Sequence, residues 1–155
     1  VTEMLPSKRH MDLGGPSLVQ AIAAAFLEDG YEQHLAKMRG WYRTRRDAAL
    51  EALSESMPEG VSWTRPQGGF QLWVTLPRGC SSIQLFLQAL DRGVAIVPGP
   101  AHDPDGRYVD AFRLGYGHGT PAQIREGVRR LGEIVKGLAA RGASDASSGG
   151  LGFVV

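Results

Sequence analysis

The sequence predicts an α/β chain, an α+β two-layer sandwich in which a small, mainly antiparallel sheet carries helices packed on one face. Three observations carry that expectation. Residues 16–57 and 121–142 place apolar side chains at helical spacing. The middle of the chain changes to a period of two, most cleanly from Gly69 to Leu76, where Phe70, Leu72, Val74 and Leu76 alternate with Gln71, Trp73 and Thr75. The segments then follow the order two helices, two strands, a helix, two strands and a helix. The second face of such a sheet must be covered by something else or line a cleft.

The elements follow in order. Residues 1–13 are mixed and polar, with Pro6 as a breaker. Pro16 and Ser17 open a helix that runs to about Asp29 with Gly30 as its stop, and Leu18, Val19, Ile22, Ala23, Phe26 and Leu27 keep helical spacing. A longer helix runs from Tyr31 to about Met57, its stripe formed by Tyr31, Leu35, Met38, Tyr42, Ala49 and Leu53, and Pro58 and Gly60 end it. Val61–Thr64 is a short strand and Gly69–Leu76 a longer one, closed by Pro77 and Gly79. Ser81 or Ser82 caps a helix through Asp91, with Ile83, Phe86, Leu87 and Leu90 on its face. Gly93 stops that helix, and Val94–Val97 is a strand ending at Pro98-Gly99. Asp103-Pro104-Asp105-Gly106 is a turn, and Ala111–Tyr116 is the last strand. Thr120, Pro121 and Gln123 spell the start of the final helix, a capping box with proline at the first helical position. Its stripe is Ile124, Val128, Leu131, Val135 and Leu138. One domain is expected over residues 1–142. The Ser- and Gly-rich residues 143–155 read as a flexible tail, with Leu151–Val155 a loosely docked or free end.

Composition narrows the function. The 155 residues suit a single domain, and 43% hydrophobic with 21% charged residues is a globular composition. A net charge of +1 gives no general reason to expect nucleic acid. No apolar run approaches the ~20 residues that span a bilayer, so no membrane partner is expected. The start at Val1, without a signal pattern, suggests a fragment or a processed piece. Cys80 is the only cysteine, which fits a cytoplasmic location. His10, His34, His102 and His118 lack metal-ligand spacing, and Asp103 and Asp105 lack the other ligands of a calcium loop, so no metal is expected. Arg39, Arg43, Arg45 and Arg46, followed by Asp47, Glu51 and Glu55, read as a solvated, salt-bridged helix face.

Arg113 is the most informative residue. Strand alternation sets it opposite Phe112 and Leu114, between the small Ala111 and Gly115. A guanidinium with that much room can offer its planar fork to a carboxylate or a phosphate; an arginine in solvent or in a structural ion pair would have the same spacing. Gly68-Gly69, ahead of a strand, implies a bulge, a positive φ or a close approach, or else an ordinary turn. Gly115, Gly117 and Gly119 do not have dinucleotide-fingerprint spacing, although the helix N-terminus after them could attract an anion.

Several segments together resemble a family. Leu18-Val19-Gln20 through Phe26-Leu27, Tyr31 and His34-Leu35 through Met38-Arg39, and Tyr42 with Arg45-Arg46-Asp47 resemble the helices that follow the cofactor lysine of class I/II aminotransferases. Pro66-Gln67-Gly68-Gly69-Phe70-Gln71-Leu72-Trp73 resembles their P-x-G-G-x-F-x-W segment with the aromatic shifted. Gly93-Val94 through Pro98-Gly99 resembles G-V-x-x-x-P-G, Phe112-Arg113-Leu114-Gly115-Tyr116 resembles the R-L-S-F strand, and Glu126–Leu131 resembles the closing helix. Over about residues 5–140 the chain is thus similar to the C-terminal small domain of fold type I, pyridoxal-phosphate-dependent aminotransferases, close to the 2-aminoadipate aminotransferase and MocR-type group.

The resemblance implies a cytoplasmic protein that transaminates amino acids and 2-oxo acids with pyridoxal 5'-phosphate and is a homodimer when complete. It implies that Arg113 binds the substrate α-carboxylate and that Gly68 and Gly69 line the active site. Two departures stand out. Pro100-Ala101-His102 follows the P-G segment where the family has a phenylalanine. No catalytic lysine is found: Ser7-Lys8 lacks the arginine that should follow it, and Lys37 and Lys136 lie on helix patterns. The large domain that holds the cofactor is missing, so the chain alone is expected to be inactive and to bind no cofactor specifically. The alternative is the effector domain of a GntR/MocR-type transcription regulator, in which an upstream winged helix would bring in nucleic acid. A third reading is an interaction module that uses its first helices.

Overall fold

The computed structural model describes residues 15–103 and 105–148, together with Met4, Pro6 and His10. Its contacts divide the chain into two compact units, residues 1–41 and 42–155.

In the first unit, α1 (Ser17–Asp29) starts at Pro16, whose φ of −56° is already helical and whose carbonyl accepts from the Gln20 N–H at 3.1 Å. No side chain caps it. Gly30 stops α1 without a left-handed turn (φ −113°, ψ −18°), and α2 (Tyr31–Ser56) begins at the next residue. None of α1 is buried: Leu18, Val19, Ile22 and Leu27 are all exposed. Phe26 meets His34 edge-on at 5.5 Å, and the Lys37 ammonium sits 5.0 Å from the centre of Trp41.

The second unit holds the sheet, in the order β1 (Ser62–Trp63), β2 (Gln71–Thr75), β4 (Ala111–Gly115), β3 (Val97–Pro98), with every pairing antiparallel. The alternations of β2 and β4 are in phase. Leu72 pairs with Leu114 and Val74 with Phe112, all buried; Gln71 pairs with Gly115, Trp73 with Arg113 and Thr75 with Ala111 on the opposite face. The apolar face meets the second half of α2, through Ala49, Ala52 and Leu53, together with α3 (Ser82–Asp91) and α4 (Pro121–Ser148). Leu85, Leu131 and Val135 are fully buried in that core. The two-layer arrangement and the antiparallel sheet expected from the sequence are both present.

Four details differ from the sequence-based expectation, the first three for a physical reason. Phe70 lies outside β2 and is 53% exposed. Gly69 has a φ of +80°, which resets the alternation before the strand starts, and the Phe70 ring rests on Tyr42 with centroids 4.5 Å apart. The strand after α3 begins only at Val97, because the Val94 N–H is still occupied by the Ala89 carbonyl at 2.8 Å. On α3 the buried face is Ser82, Leu85 and Ala89, with Phe86 half-buried, while Ile83, Leu87 and Leu90 are exposed. Ser81 caps the helix through its Oγ, and Ser82 is pinned inward because both its N–H and its Oγ donate to the Val109 carbonyl, at 2.9 and 2.8 Å. The stripe is therefore counted from Ser82. Finally, α4 continues past Gly142 to Ser148, so residues 143–148 of the expected tail are helical, and residues 149–155 lie outside the described residues.

The start of α4 is as expected: the Thr120 N–H donates to Gln123 Oε1 at 2.8 Å and the Gln123 N–H donates to Thr120 Oγ1 at 3.3 Å. Further along, Gly132 is where α4 meets the end of α2, and a Cβ built there would lie 2.5 Å from the Ser56 carbonyl oxygen.

Two substitutions test this packing. Leu114→Ala should lower unfolding free energy by roughly 2–5 kcal/mol in a urea titration, as for other buried leucines. Gly132→Ala would gain up to about 1 kcal/mol in an unobstructed helix. Here the forced separation of the helices should reverse the sign, to a net loss of about 1–3 kcal/mol. A stabilised Gly132→Ala protein would contradict the close approach.

Candidate functional site

Arg113 sits in the middle of β4, between Trp73 on β2 and Val97 on β3. It is half-buried and faces away from the core. Ala111 and Gly115 precede and follow it on that face, and a Cβ added at Gly115 would meet nothing within 4 Å. Arg92, Arg107, Arg125, Arg129 and Arg130 each hold an acidic side chain. The Arg113 side chain has no hydrogen-bond or ion-pair partner among the described residues. An interior strand position that presents an unopposed, permanently charged fork is suited to a planar anion.

One flank of this face is built by the connection from Gly99 to Asp110. It opens with a 3-10 turn, Gly99–His102, and only glycine fits at its first residue: a Cβ there would lie 2.0 Å from the Tyr108 carbonyl oxygen and 2.7 Å from that of Ala111. The Asp103 side chain ties the connection together. It is 3% exposed and accepts from the Asp105 N–H at 3.2 Å, from the Arg107 N–H, and from Arg107 Nε and Nη2 at 3.3 and 3.1 Å. Burial works to raise the Asp103 pKa, but the hydrogen bonds from Arg107 and from the two backbone N–H groups prevail and hold it below the usual carboxylate range. So anchored, the connection sets His102 and Tyr108 edge-on against Trp73, with ring centroids 6.0 and 5.5 Å apart. Trp73 in turn is the direct cross-strand neighbour of Arg113.

Gly68 and Gly69 lie at the other end of β2. Gly69 has the positive φ that the glycine pair suggested, and its carbonyl accepts from the Tyr116 hydroxyl at 2.9 Å. Burial raises the pKa of that tyrosine. A Cβ on either glycine would meet nothing within 4 Å, so the turn stands beside open space. The glycine pair lies just ahead of β2, next to its Gln71–Gly115 end.

Other sequence candidates are absorbed locally. The capping box occupies the Gln123 N–H in the first turn of α4, and the Gly119 carbonyl accepts from Arg45 Nε at 2.8 Å. Arg46 pairs with Asp47 at 2.7 Å and Glu51 with Arg125 of α4 at 2.8 Å, in keeping with a salt-bridged helix face. Among the described residues no three His, Cys, Asp or Glu side chains come together as a metal site, and no helix is long and apolar enough to cross a membrane. Cys80 is buried, which raises its thiol pKa. The sequence reading missed Trp73 as the cross-strand neighbour of Arg113, Gln71 as its diagonal neighbour, and the packing of His102 and Tyr108 on Trp73. The alternation held the signal for Gln71 and Trp73, but only the strand register shows which of them stand beside the arginine.

The fold and this face define a small α/β domain that presents an arginine on the open side of an antiparallel sheet. Residues 2–131 match the family of aminotransferases of class I and II, and the chain belongs to that family. It is 40% identical to aromatic-amino-acid aminotransferase 1 of Thermococcus litoralis, over 84% of this chain and 31% of that protein. It is 34% identical to the HTH-type transcriptional regulator YdfD of Bacillus subtilis, over 86% of this chain and 28% of the regulator. The crystal structure of LysN, the α-aminoadipate aminotransferase of Thermus thermophilus complexed with N-(5'-phosphopyridoxyl)-L-leucine, superposes with a TM-score of 0.82 at 38% identity, over 90% of this chain and 36% of that one. The chain thus spans about a third of the length of the relatives it matches.

The Asp103 anchor is testable by amide exchange. Because its folded pKa lies below the unfolded value of about 3.9, its contribution is present above about pH 4 and is lost as pH falls through the lower, folded value. Asp103→Ala should speed exchange of the Asp105 and Arg107 amides at neutral pH, and wild-type protection there should fade only in strong acid. Unchanged rates in the variant would show that the carboxylate does not anchor the connection.

Proposed function

We propose that this chain is the C-terminal part of a pyridoxal-phosphate-dependent aminotransferase that interconverts amino acids and 2-oxo acids, and that Arg113 is its α-carboxylate receptor. The single observation that carries the reading is the half-buried, unpaired Arg113 on an open sheet face. The likeness to aromatic-amino-acid and α-aminoadipate aminotransferases supports it. A carboxylate laid in plane with the guanidinium takes two parallel charge-assisted hydrogen bonds, which fix both position and orientation. Trp73, the cross-strand neighbour of Arg113, flanks that pairing on one side.

The described lysines do not fit the Schiff-base role of the cofactor lysine. Lys37 is exposed and stacked over Trp41, Lys136 is exposed on α4, and Lys8 lies outside the described residues. No catalytic step is therefore assigned to the cofactor through this chain. In this reading pyridoxal phosphate is held by other parts of a longer protein, and the chain alone is inactive. The unburied apolar side chains of α1 support a homodimer of that complete protein.

The similarity to the YdfD regulator favours one second reading, an aminotransferase-like effector domain of a transcription regulator. Arg113 would then receive the carboxylate of an effector.

The test is Arg113→Lys and Arg113→Ala in the complete, cofactor-loaded protein. Charged-group hydrogen bonds contribute about 1.5–3 kcal/mol each, so kcat/KM should fall by at least roughly tenfold and up to about a thousandfold, while the cofactor's visible absorbance is retained. Wild-type kcat/KM in both variants would remove the role, and loss of the cofactor in both would make the arginine structural.

A further inference from the structure

We propose that Tyr116 is a positioning residue: its hydroxyl holds the Gly69 carbonyl and so fixes the Gly68–Gly69 turn for substrate contact. The inference rests on the reading of Arg113 as the α-carboxylate receptor and of the glycine pair as site-lining, and it adds the group that sets the turn. Tyr116 is 1% exposed. Its N–H donates to the Phe70 carbonyl at 2.8 Å, and its hydroxyl donates to the Gly69 carbonyl at 2.9 Å. One residue just past β4 thus grips two successive carbonyls just ahead of β2.

Two successive glycines are the loosest backbone that can precede a strand, because glycine loses more freedom on ordering than any other residue. Gly69 is nevertheless set at a φ of +80°. Among the described residues, the Tyr116 hydroxyl is the only side-chain group bonded to either glycine. The flanking residues are held separately: Arg46 Nη1 donates to the Pro66 carbonyl at 3.5 Å, and the Phe70 ring rests on Tyr42. These restraints come from α2 and from the end of β4. A Cβ on Gly68 or Gly69 would meet nothing within 4 Å, so the held turn presents bare backbone to open space.

The hydroxyl and the ring have separable tasks. The ring fills the core beside Leu72 and Leu114, and phenylalanine would fill it equally. Only the hydroxyl reaches the turn, and burial, which raises its pKa, keeps it a donor through the neutral range. Without that bond the glycine pair samples other conformations. A ligand that needs the held conformation then binds more weakly, in proportion to the fraction of molecules that retain it. The reacting atoms are untouched, so the loss falls on KM and not on kcat.

The experiment uses the complete cofactor-loaded protein as wild type, Tyr116→Phe, Gly132→Ala and Arg113→Lys. It measures kcat and KM for the best substrate among the common amino acids and 2-aminoadipate, and amide exchange over residues 68–71. Tyr116→Phe should raise KM by about three- to tenfold, the worth of one neutral hydrogen bond, with kcat within about twofold of wild type. Exchange over residues 68–71 should quicken with it. Gly132→Ala, which disturbs the contact of α4 with Ser56, should leave KM at the wild-type level. Unchanged exchange in Tyr116→Phe, or faster exchange with an unchanged KM, overturns the inference alone. An equal rise of KM in Gly132→Ala does the same, because the effect would then be one of general stability. Arg113→Lys with wild-type kcat/KM, or a wild type that transaminates none of these amino acids, overturns the reading of the face and this inference with it.

Discussion

The antiparallel pairing of β2 with β4 is the constraint on which the rest depends. One register sets Leu72 against Leu114 and Val74 against Phe112 over the helices. The same register sets Trp73 beside Arg113, and Gln71 across from Gly115, on the other side. A slip of β4 by a single residue would exchange its two faces, turning a guanidinium into the core and Phe112 and Leu114 into water. Core and candidate site are therefore not separable properties of this chain: the burial that stabilises the sheet is also what aims the arginine.

The connection from Gly99 to Asp110 shows how backbone hydrogen bonding, more than apolar contact, shapes the flank of the site. Gly99 lets two carbonyl groups approach closer than any side chain would allow, and Asp103 gathers the N–H groups that the turn leaves free. Further on, the Val109 carbonyl takes both donors of Ser82. One short segment thus fixes the rotation of α3 and also delivers His102 and Tyr108 to Trp73. The helix that closes the core and the wall of the candidate site have a common anchor.

Much of the fold could be read from the sequence because the signals were local and redundant. The capping box at Thr120 and Gln123, the alternation of Leu72, Val74, Phe112 and Leu114, and the stripe through Val128, Leu131 and Val135 each specify an element without outside help. The expectations that failed needed information from a distance. Which face of α3 turns inward depends on Val109, far along the chain, and periodicity alone favoured the larger Ile83 and Leu87. Where β3 begins depends on a carbonyl of α3 that still claims Val94. At the candidate site the alternation exposed Arg113, but its neighbours could be named only once the register was known.

The unpaired state of Arg113 has a consequence for how this domain tolerates change. A half-buried charge without a counter-ion is a burden on the folded state, since desolvation is incurred and no partner returns it. Replacement by a β-branched residue such as threonine or valine would suit the pleated surface and relieve that burden. Drift toward greater robustness thus runs through the loss of the arginine, and its retention in a working protein would reflect use and not architecture.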